Sequence, residues 1–158
     1  MSKSPIASRY AHALLDIGIE HVLMLPPFYY KNPSDEGLFT HFSRTFAAIG
    51  SDAMKVYLYH FPQMSAVPFS HELIARLLKE FPNTVCGIKD SSGDWANTQA
   101  VIDAFGAQGF RVYAGSERFL LPTLRAGGAG CISATANGGT PPYSYTWSNG
   151  GANANIDD

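Results

Sequence analysis

The chain has 158 residues, 46% of them hydrophobic and 15% charged, and its eleven basic and thirteen acidic side chains give a formal net charge of −2. These values are ordinary for a globular domain and indicate neither a nucleic-acid surface nor a membrane surface. No apolar run approaches the ~20 residues of a membrane span, and no apolar signal region follows the amino terminus, so we expect a cytoplasmic protein.

Helical and extended patterns alternate along the chain. Apolar residues at helical spacing, together with capping and breaking residues, predict five helices, and short apolar runs between them predict five strands. Alternation of this kind is typical of a parallel α/β fold. Within one helix, Glu72 and Arg76 are four residues apart and predict an ion pair. The predicted helices are 5–18, 35–50, 71–81, 95–105 and 117–126; the strands are 21–27, 54–59, 84–89, 110–114 and 129–135; and 62–68 is a loop.

The most informative segment is an apolar run that ends in a single lysine, Val85-Cys86-Gly87-Ile88-Lys89. A lysine at the carboxyl end of a buried strand lies where α/β proteins present side chains to a site. Burial there disfavours the ammonium form and favours a neutral amine that can attack a carbonyl group. The alternative is a lysine that simply leaves the strand into solvent. After it, residues 91–94 turn the chain, and Asp94 or a serine caps the next helix.

Parallel strands bring their carboxyl ends to one edge of a sheet, although these ends are far apart in sequence. This edge collects an amine, two phenols, a glycine and an apolar side chain. Such a group meets the needs of Schiff-base chemistry, in which an amine condenses with a carbonyl and a nearby acid or base transfers protons. The residues are Tyr29, Tyr59, Lys89, Gly115 and Ile132.

Four segments in this order resemble the dihydrodipicolinate synthase and N-acetylneuraminate lyase family, the class I pyruvate-dependent aldolases built on a TIM barrel. The resemblance runs from about residue 4 to 137. A complete barrel needs about 250 residues, so the resemblance implies a partial (β/α)₈ barrel, roughly strands 4 to 8 with their helices, in which the first three strands are missing. The segments are Leu25-Pro26-Pro27-Phe28-Tyr29-Tyr30, Tyr59-His60-Phe61-Pro62, Gly87-Ile88-Lys89-Asp90 and 130–137. An open flavodoxin-like sheet would compete, but its phosphate-binding glycine loop is not found.

The resemblance also implies roles for individual residues. Lys89 would form the Schiff base with pyruvate or a related 2-keto acid, Tyr59 would be the general acid/base, and Tyr29 would relay protons. The alternative for both tyrosines is a purely structural aromatic ring. Substrate contacts are implied for Ile132, Gly115 and His60.

No cofactor is implied. The five histidines are scattered without metal-ligand spacing, so we expect no metal site. Cys86 and Cys131 would lie on strands separated by a third strand, about 10 Å apart, which is too far for a disulfide. The expected partners are a 2-keto acid and an aldehyde, with no nucleic acid and no membrane, and the resemblance implies a homo-oligomer for intact relatives.

The chain departs from the family pattern in three places. The arginine that follows the Tyr-x-x-Pro motif in dihydrodipicolinate synthases, where it holds a substrate carboxylate, is replaced by Gln63-Met64-Ser65. Its loss indicates a different aldehyde, such as a sugar-acid or aromatic aldehyde, or the reverse cleavage reaction. His60 stands where asparagine is usual, and the Gly-Thr-Thr-Gly-Glu segment that binds the pyruvate carboxylate is missing.

The last part of the chain reads differently. Residues 143–147 alternate aromatic and polar side chains, which is strand periodicity, and they resemble a fragment of the PKD-like or SprB-type repeats of bacterial surface proteins. We therefore predict a partial aldolase domain over 1–137 and an unrelated tail over 138–158, irregular or with short strands and frayed from 152 onward. Three functions follow: a Schiff-base lyase or aldolase, an inactive fragment of one, or a surface-interaction module that acts through the tail.

Overall fold

A computed structural model describes residues 6–29, 31–133, 143–145 and 154–156 of the chain. Helices and strands alternate through the first two ranges, as predicted. Short 3-10 turns follow α5 and precede α6, at Gly106–Gln108 and Glu117–Phe119. The elements are α1 (Ile6–Asp16), β1 (His21–Met24), α2 (Asp35–Ile49), β2 (Lys55–His60), α3 (Pro62–Ser65), α4 (His71–Glu80), β3 (Val85–Asp90), α5 (Trp95–Phe105), β4 (Arg111–Ala114), α6 (Leu120–Arg125), β5 (Gly130–Cys131), β6 (Tyr143–Tyr145) and β7 (Ala154–Ile156).

Strands β1 to β5 form one parallel sheet in the order β1-β2-β3-β4-β5. Each strand therefore pairs with the next one along the chain, as in a barrel built from successive βα units. A flavodoxin-like sheet has the order 2-1-3-4-5 instead. The order of the strands rules that competing fold out.

The core lies between one face of this sheet and the helices. Val56, Leu58, Ile88 and Val112 point into it from the strands, where each is at most 1% exposed. Burial of a side chain of this size contributes roughly 1.5–3 kcal/mol, so these four residues stabilise the contact between sheet and helices. The helices contribute a matching set to the same cluster: Leu38, Phe42, Phe46, Leu73, Ile74, Leu77, Val101, Ile102 and Phe105.

The other side chains of the strands point to the opposite side of the sheet, because alternate residues of a strand face opposite ways. A groove on this side is lined by residues of strands and of the segment after β5 alone. We call this side the open face. Its residues include His21, Leu23, Tyr57, Tyr59, Lys89, Arg111, Tyr113 and Ile132.

Three helices begin where a side-chain oxygen accepts a hydrogen bond from the first turn. Ser34 caps α2 through Gly37 N at 3.2 Å, and Ser70 caps α4 through Leu73 N at 3.0 Å. Asp94 caps α5 through Ala96 N at 2.9 Å. These are the preferred N-cap residue types, and they set the helix starts that the sequence predicted.

Some details differ from the predictions. The segment after β2 was predicted as loop, but it contains the one-turn helix α3, which begins with a proline at its first position, where that residue is favoured. The predicted pair of Glu72 and Arg76 is wrong: Arg76 forms its ion pair with Glu36 of α2 and lies over the Phe39 ring, 3.6 Å from its centroid. A contact between two helices thus replaces one within a helix.

Three short strands, β5 to β7, are described toward the carboxyl terminus. Strand β5 covers Gly130–Cys131 of the predicted 129–135, and residues 134–142 lie outside the described residues. Strand β6 lies within the predicted extended segment 143–147, and it pairs in antiparallel fashion with β7, where we expected a frayed end. Within the described ranges, no helix combines the length and apolar content that a membrane crossing requires.

Candidate active site

The pairing of three neighbouring strands brings Lys89 between two phenols. Tyr59 of β2 is the partner of Lys89 in β3, and Lys89 in turn is the partner of Tyr113 in β4. Because partners in a parallel ladder point to the same side, all three side chains lie on the open face. Lys89 and Tyr59 are within the last two positions of their strands, at the carboxyl edge of the sheet.

Lys89 is in direct contact with Tyr59. Its Nζ donates a hydrogen bond to Tyr59 Oη over 3.2 Å and lies 4.4 Å from the centroid of the same ring. Both side chains are half-buried. The ring of Phe61 stacks on the ring of Tyr59, with the two centroids 5.8 Å apart and an interplanar angle of 22°. The amine is therefore held against a phenol whose own ring is fixed by packing.

The residue after the lysine anchors this end of the strand from the core side. Asp90 is 3% exposed, and both of its carboxylate oxygens accept hydrogen bonds, from Ser92 N at 2.9 Å, Asn97 Nδ2 at 2.9 Å and Thr98 Oγ1 at 2.7 Å. The network ties β3 to the first turn of α5. The sequence carries a signal for this role, namely a carboxylate at the end of an apolar strand followed by several hydrogen-bond donors.

Loops on both sides hold the turn that follows. Gln63 donates from its side-chain amide to Ser92 O, and Arg118 Nη2 donates to Gly93 O at 2.9 Å. Gly115 N donates to Asp90 O at 2.7 Å, and a Cβ at Gly115 would overlap Ser91, with its Cα only 2.8 Å away. Gly115 thus serves close approach of two backbones at the edge of the site.

The side chain of His60 points to the opposite side of the sheet from that of Tyr59. It therefore does not face the position where a substrate contact was predicted. It is 5% exposed, and its Nδ1 accepts a hydrogen bond from Phe69 N at 3.1 Å. Burial lowers the pKa of His60, and the nearby Asp90 carboxylate opposes that effect only in part. Its ring supports the loop before α4 from within the core.

Two other predicted residues lie near the edge of the sheet. Ile132 is half-buried and lines the open-face groove with Tyr57 and Tyr113. Tyr29 is 84% exposed and lies in a groove with Pro33 and His41. Leu25 and Phe28 line both this groove and the one that contains Tyr59, so they separate the two tyrosines.

Beside Tyr59, sequence reasoning missed a second feature. A pocket of about 350 Å³ is lined by side chains from the end of β1, from β2 and from α3. We call it the rim pocket. The sequence gave little signal for it, because its apolar residues come from separate segments of the chain and follow no period. Its residues are Leu25, Phe28, Tyr59, Phe61, Met64 and Ser65.

Neither cysteine is paired, and both are half-buried. Burial is the main cause that raises the pKa of the Cys131 thiol, followed by the Glu117 carboxylate, while Lys89 opposes the shift. Within the described ranges, no group of three or more His, Cys, Asp and Glu side chains is arranged to hold a metal ion.

Comparison with known proteins identifies relatives. The family model described as dihydrodipicolinate synthetase family matches residues 6–142. An uncharacterised DapA-like lyase of Chloroflexus aurantiacus is 36% identical over 127 residues, which cover 80% of this chain and 42% of the relative. A 4-hydroxy-tetrahydrodipicolinate synthase of Methanosphaerula palustris is 36% identical over 131 residues, 83% of this chain and 43% of the relative.

A solved structure gives the same result. The crystal structure of dihydrodipicolinate synthase from Agrobacterium tumefaciens superposes with a TM-score of 0.75 at 40% identity, covering 80% of this chain and 43% of that one. The chain thus spans less than half the length of these relatives, and its five-stranded parallel sheet confirms the predicted partial barrel. From the family match, the shared fold and the order of its strands, we conclude that the chain belongs to the dihydrodipicolinate synthetase family.

Proposed function

We propose that this chain carries the Schiff-base part of a lyase or aldolase site that acts on pyruvate or a related 2-keto acid. The observation that carries the proposal is the hydrogen bond of 3.2 Å between Lys89 Nζ and Tyr59 Oη at the carboxyl edge of a parallel sheet. Active sites of barrel enzymes lie at this edge, and a primary amine next to a phenol supplies both the nucleophile and the proton carrier that imine formation needs.

The chemistry follows from these two groups. The neutral amine of Lys89 attacks the keto carbon, and the carbonyl oxygen becomes a hydroxyl group by taking a proton. Tyr59 gives that proton, takes one from the nitrogen and passes it to the hydroxyl group, which then leaves as water as the iminium forms. The iminium then draws electrons from the neighbouring carbon, so that a carbon-carbon bond to it can form or break.

Smaller roles are proposed for the surrounding residues. Ile132 would contact the bound keto acid from the open face, and Gly115 would keep the loop after Lys89 close to it. Tyr29 would relay protons to a neighbouring site. Because its side chain is 84% exposed, this role requires a further polypeptide that packs beside it. Two unpaired thiols fit the reducing cytoplasm that we propose as the location.

The proposal is tested by trapping. The folded chain is incubated with pyruvate, reduced with borohydride and analysed by intact mass and peptide mapping. We expect one adduct, on Lys89, that is lost in Lys89→Arg, because arginine keeps the charge but not the nucleophilic amine. In Tyr59→Phe the adduct should form about 10²-fold more slowly or worse.

Lys55 gives the matched control. It lies at the start of β2 and donates to Asp52 O at 2.6 Å and to Asn83 O at 2.7 Å, away from the carboxyl edge. Lys55→Arg should therefore leave the adduct unchanged. An adduct that persists in Lys89→Arg would refute the assignment.

The alternative is a chain without this activity, because the Gly-Thr-Thr-Gly-Glu segment that binds the pyruvate carboxylate in the family is not found in the sequence. If a chain with native circular dichroism forms no adduct at all, this alternative holds. The surface-interaction alternative rests on residues 138–158, of which only 143–145 and 154–156 are described, and it stays a prediction.

A further inference from the structure

The rim pocket has almost no polar lining. Among the described residues around it, Tyr59 Oη and Ser65 Oγ are the only side-chain oxygen or nitrogen atoms. Ser65 Oγ is already engaged by the backbone, since it lies 3.0 Å from Phe61 O and 3.1 Å from both Val67 N and Val67 O. In the described part of the lining, Tyr59 is therefore the one side chain that is suited to bind a polar atom of a ligand.

The pocket is continuous with the amine through that same phenol. Tyr59 lines the pocket, and its Oη lies 3.2 Å from Lys89 Nζ. A carbonyl oxygen that accepts a hydrogen bond from Tyr59 thus brings its carbon next to a group held on Lys89. The remainder of that molecule then extends among Leu25, Phe28, Phe61 and Met64.

The wall decides which substituent fits. No lysine, arginine or histidine belongs to the described lining, and the side-chain amide of the adjacent Gln63 is engaged with Ser92 O. A carboxylate or a row of hydroxyl groups would lose water there without finding a partner, which is unfavourable. An aromatic ring would instead pack against two phenylalanine rings and a methionine, which is favourable.

We propose that the rim pocket binds the aromatic substituent of an uncharged aldehyde, the second substrate of the site. This inference rests on the proposed function and names its substrate class. In the condensation, the enamine made from the Lys89-bound keto acid gives its electron pair to the aldehyde carbon. The aldehyde oxygen takes the Tyr59 proton and becomes a hydroxyl group, Tyr59 regains a proton from water, and water hydrolyses the iminium to release Lys89.

Binding is measured without the reaction. Benzyl alcohol and 4-(hydroxymethyl)benzoate share a ring and differ by one carboxylate, and neither forms an imine. They are titrated into chain labelled with ¹³C at its four methionine methyl groups. Benzyl alcohol should shift the Met64 resonance and leave that of the fully buried Met54 in place, and it should bind about 10-fold more tightly than the benzoate or better.

The pocket variant is Met64→Lys, at a side chain that is 72% exposed and so tolerates the change. A cation at this position should reverse the preference, so that the benzoate binds about 10-fold more tightly than in the wild type; since the label is lost, this is read by ligand-observed NMR. The matched control is Leu121→Lys, at a 54% exposed apolar side chain on α6, which should change neither affinity.

Condensation of pyruvate with benzaldehyde or 4-carboxybenzaldehyde completes the test, with benzaldehyde expected to react about 10-fold faster or more. If benzyl alcohol binds at Met64 but no adduct forms on Lys89, the proposed function is refuted and the pocket assignment stands. An adduct on Lys89 combined with preference for the carboxylated compounds, or an unmoved Met64 resonance, would overturn the pocket assignment alone.

Discussion

His60 is a buried histidine whose protonation state is fixed by its partner. Its Nδ1 accepts from Phe69 N at 3.1 Å, and a protonated ring would have no acceptor left for that hydrogen bond. Burial lowers its pKa below the ordinary value of 6.5, despite the neighbouring Asp90. The native state therefore holds the neutral ring, while the unfolded state takes up a proton more readily.

This predicts a pH dependence of stability. Above the unfolded pKa of about 6.5 neither state is protonated and the contribution is complete. As the pH falls through 6.5 toward the lower pKa of the folded state, only the unfolded state gains the proton, so the free energy of unfolding decreases, by at most about 1.4 kcal/mol per pH unit for one proton. Urea unfolding at a series of pH values measures it.

The matched variant is His60→Asn, because an asparagine oxygen can accept from Phe69 N but does not titrate in this range. Its stability should fall less than that of the wild type as the pH drops below 6.5. Some dependence should remain, since burial also lowers the pKa of His41. Identical pH profiles for the two chains would show that His60 contributes nothing.

At the scale of elements, the packing of β3 between β2 and β4 decides the geometry of the site. The register of β2 against β3 shifts between Val56 and Tyr57. As a result Gly87, two residues before Lys89, lies under the Tyr57 ring. A Cβ at Gly87 would overlap Arg111 O and come within 2.7 Å of the Tyr57 ring. Only glycine allows the three strands to approach so closely here.

We therefore expect Gly87→Ala to destabilise the chain by about 2 kcal/mol or more, since the overlap involves backbone and cannot relax by rotation of a side chain alone. Denaturant unfolding measures the change. Gly106→Ala is the control: its nearest atom would be Ile102 Cγ2 at 3.6 Å, and its backbone is right-handed at φ −56°. That variant should be unchanged or stabilised by up to about 1 kcal/mol. Equal losses in both variants would contradict the packing argument.

The elements also indicate how far sequence reasoning reaches. The alternation of helices and strands and the helix caps followed from local patterns, and the order of the strands followed from the resemblance to a barrel family. The approach of Lys89 to Tyr59 followed from the rule that parallel strands share one carboxyl edge. The partner of Arg76 and the rim pocket did not, because both depend on how separate elements pack. The substrate contact of His60 was implied only by the resemblance, whereas alternation along the strand turns its side chain away from that of Tyr59.

At the scale of the whole molecule, the sheet that the described residues form is open. Among these residues, strands β1 and β5 each have one neighbour, so each edge leaves one row of backbone groups available for pairing. The open face adds apolar surface beside β1, where Leu23 is 42% and Leu25 39% exposed. Unpaired edges next to exposed apolar side chains favour association with another polypeptide.

The 158-residue chain should therefore self-associate as its concentration rises, and sedimentation velocity over a wide concentration range measures this. Leu23→Lys should weaken association, because a charge on the open face beside the β1 edge would have to be buried in the contact. Ile17→Lys removes an apolar side chain that is 72% exposed just after α1, and it should associate like the wild type. If both variants associate equally, the contact between two copies does not involve the open face or the edge of β1.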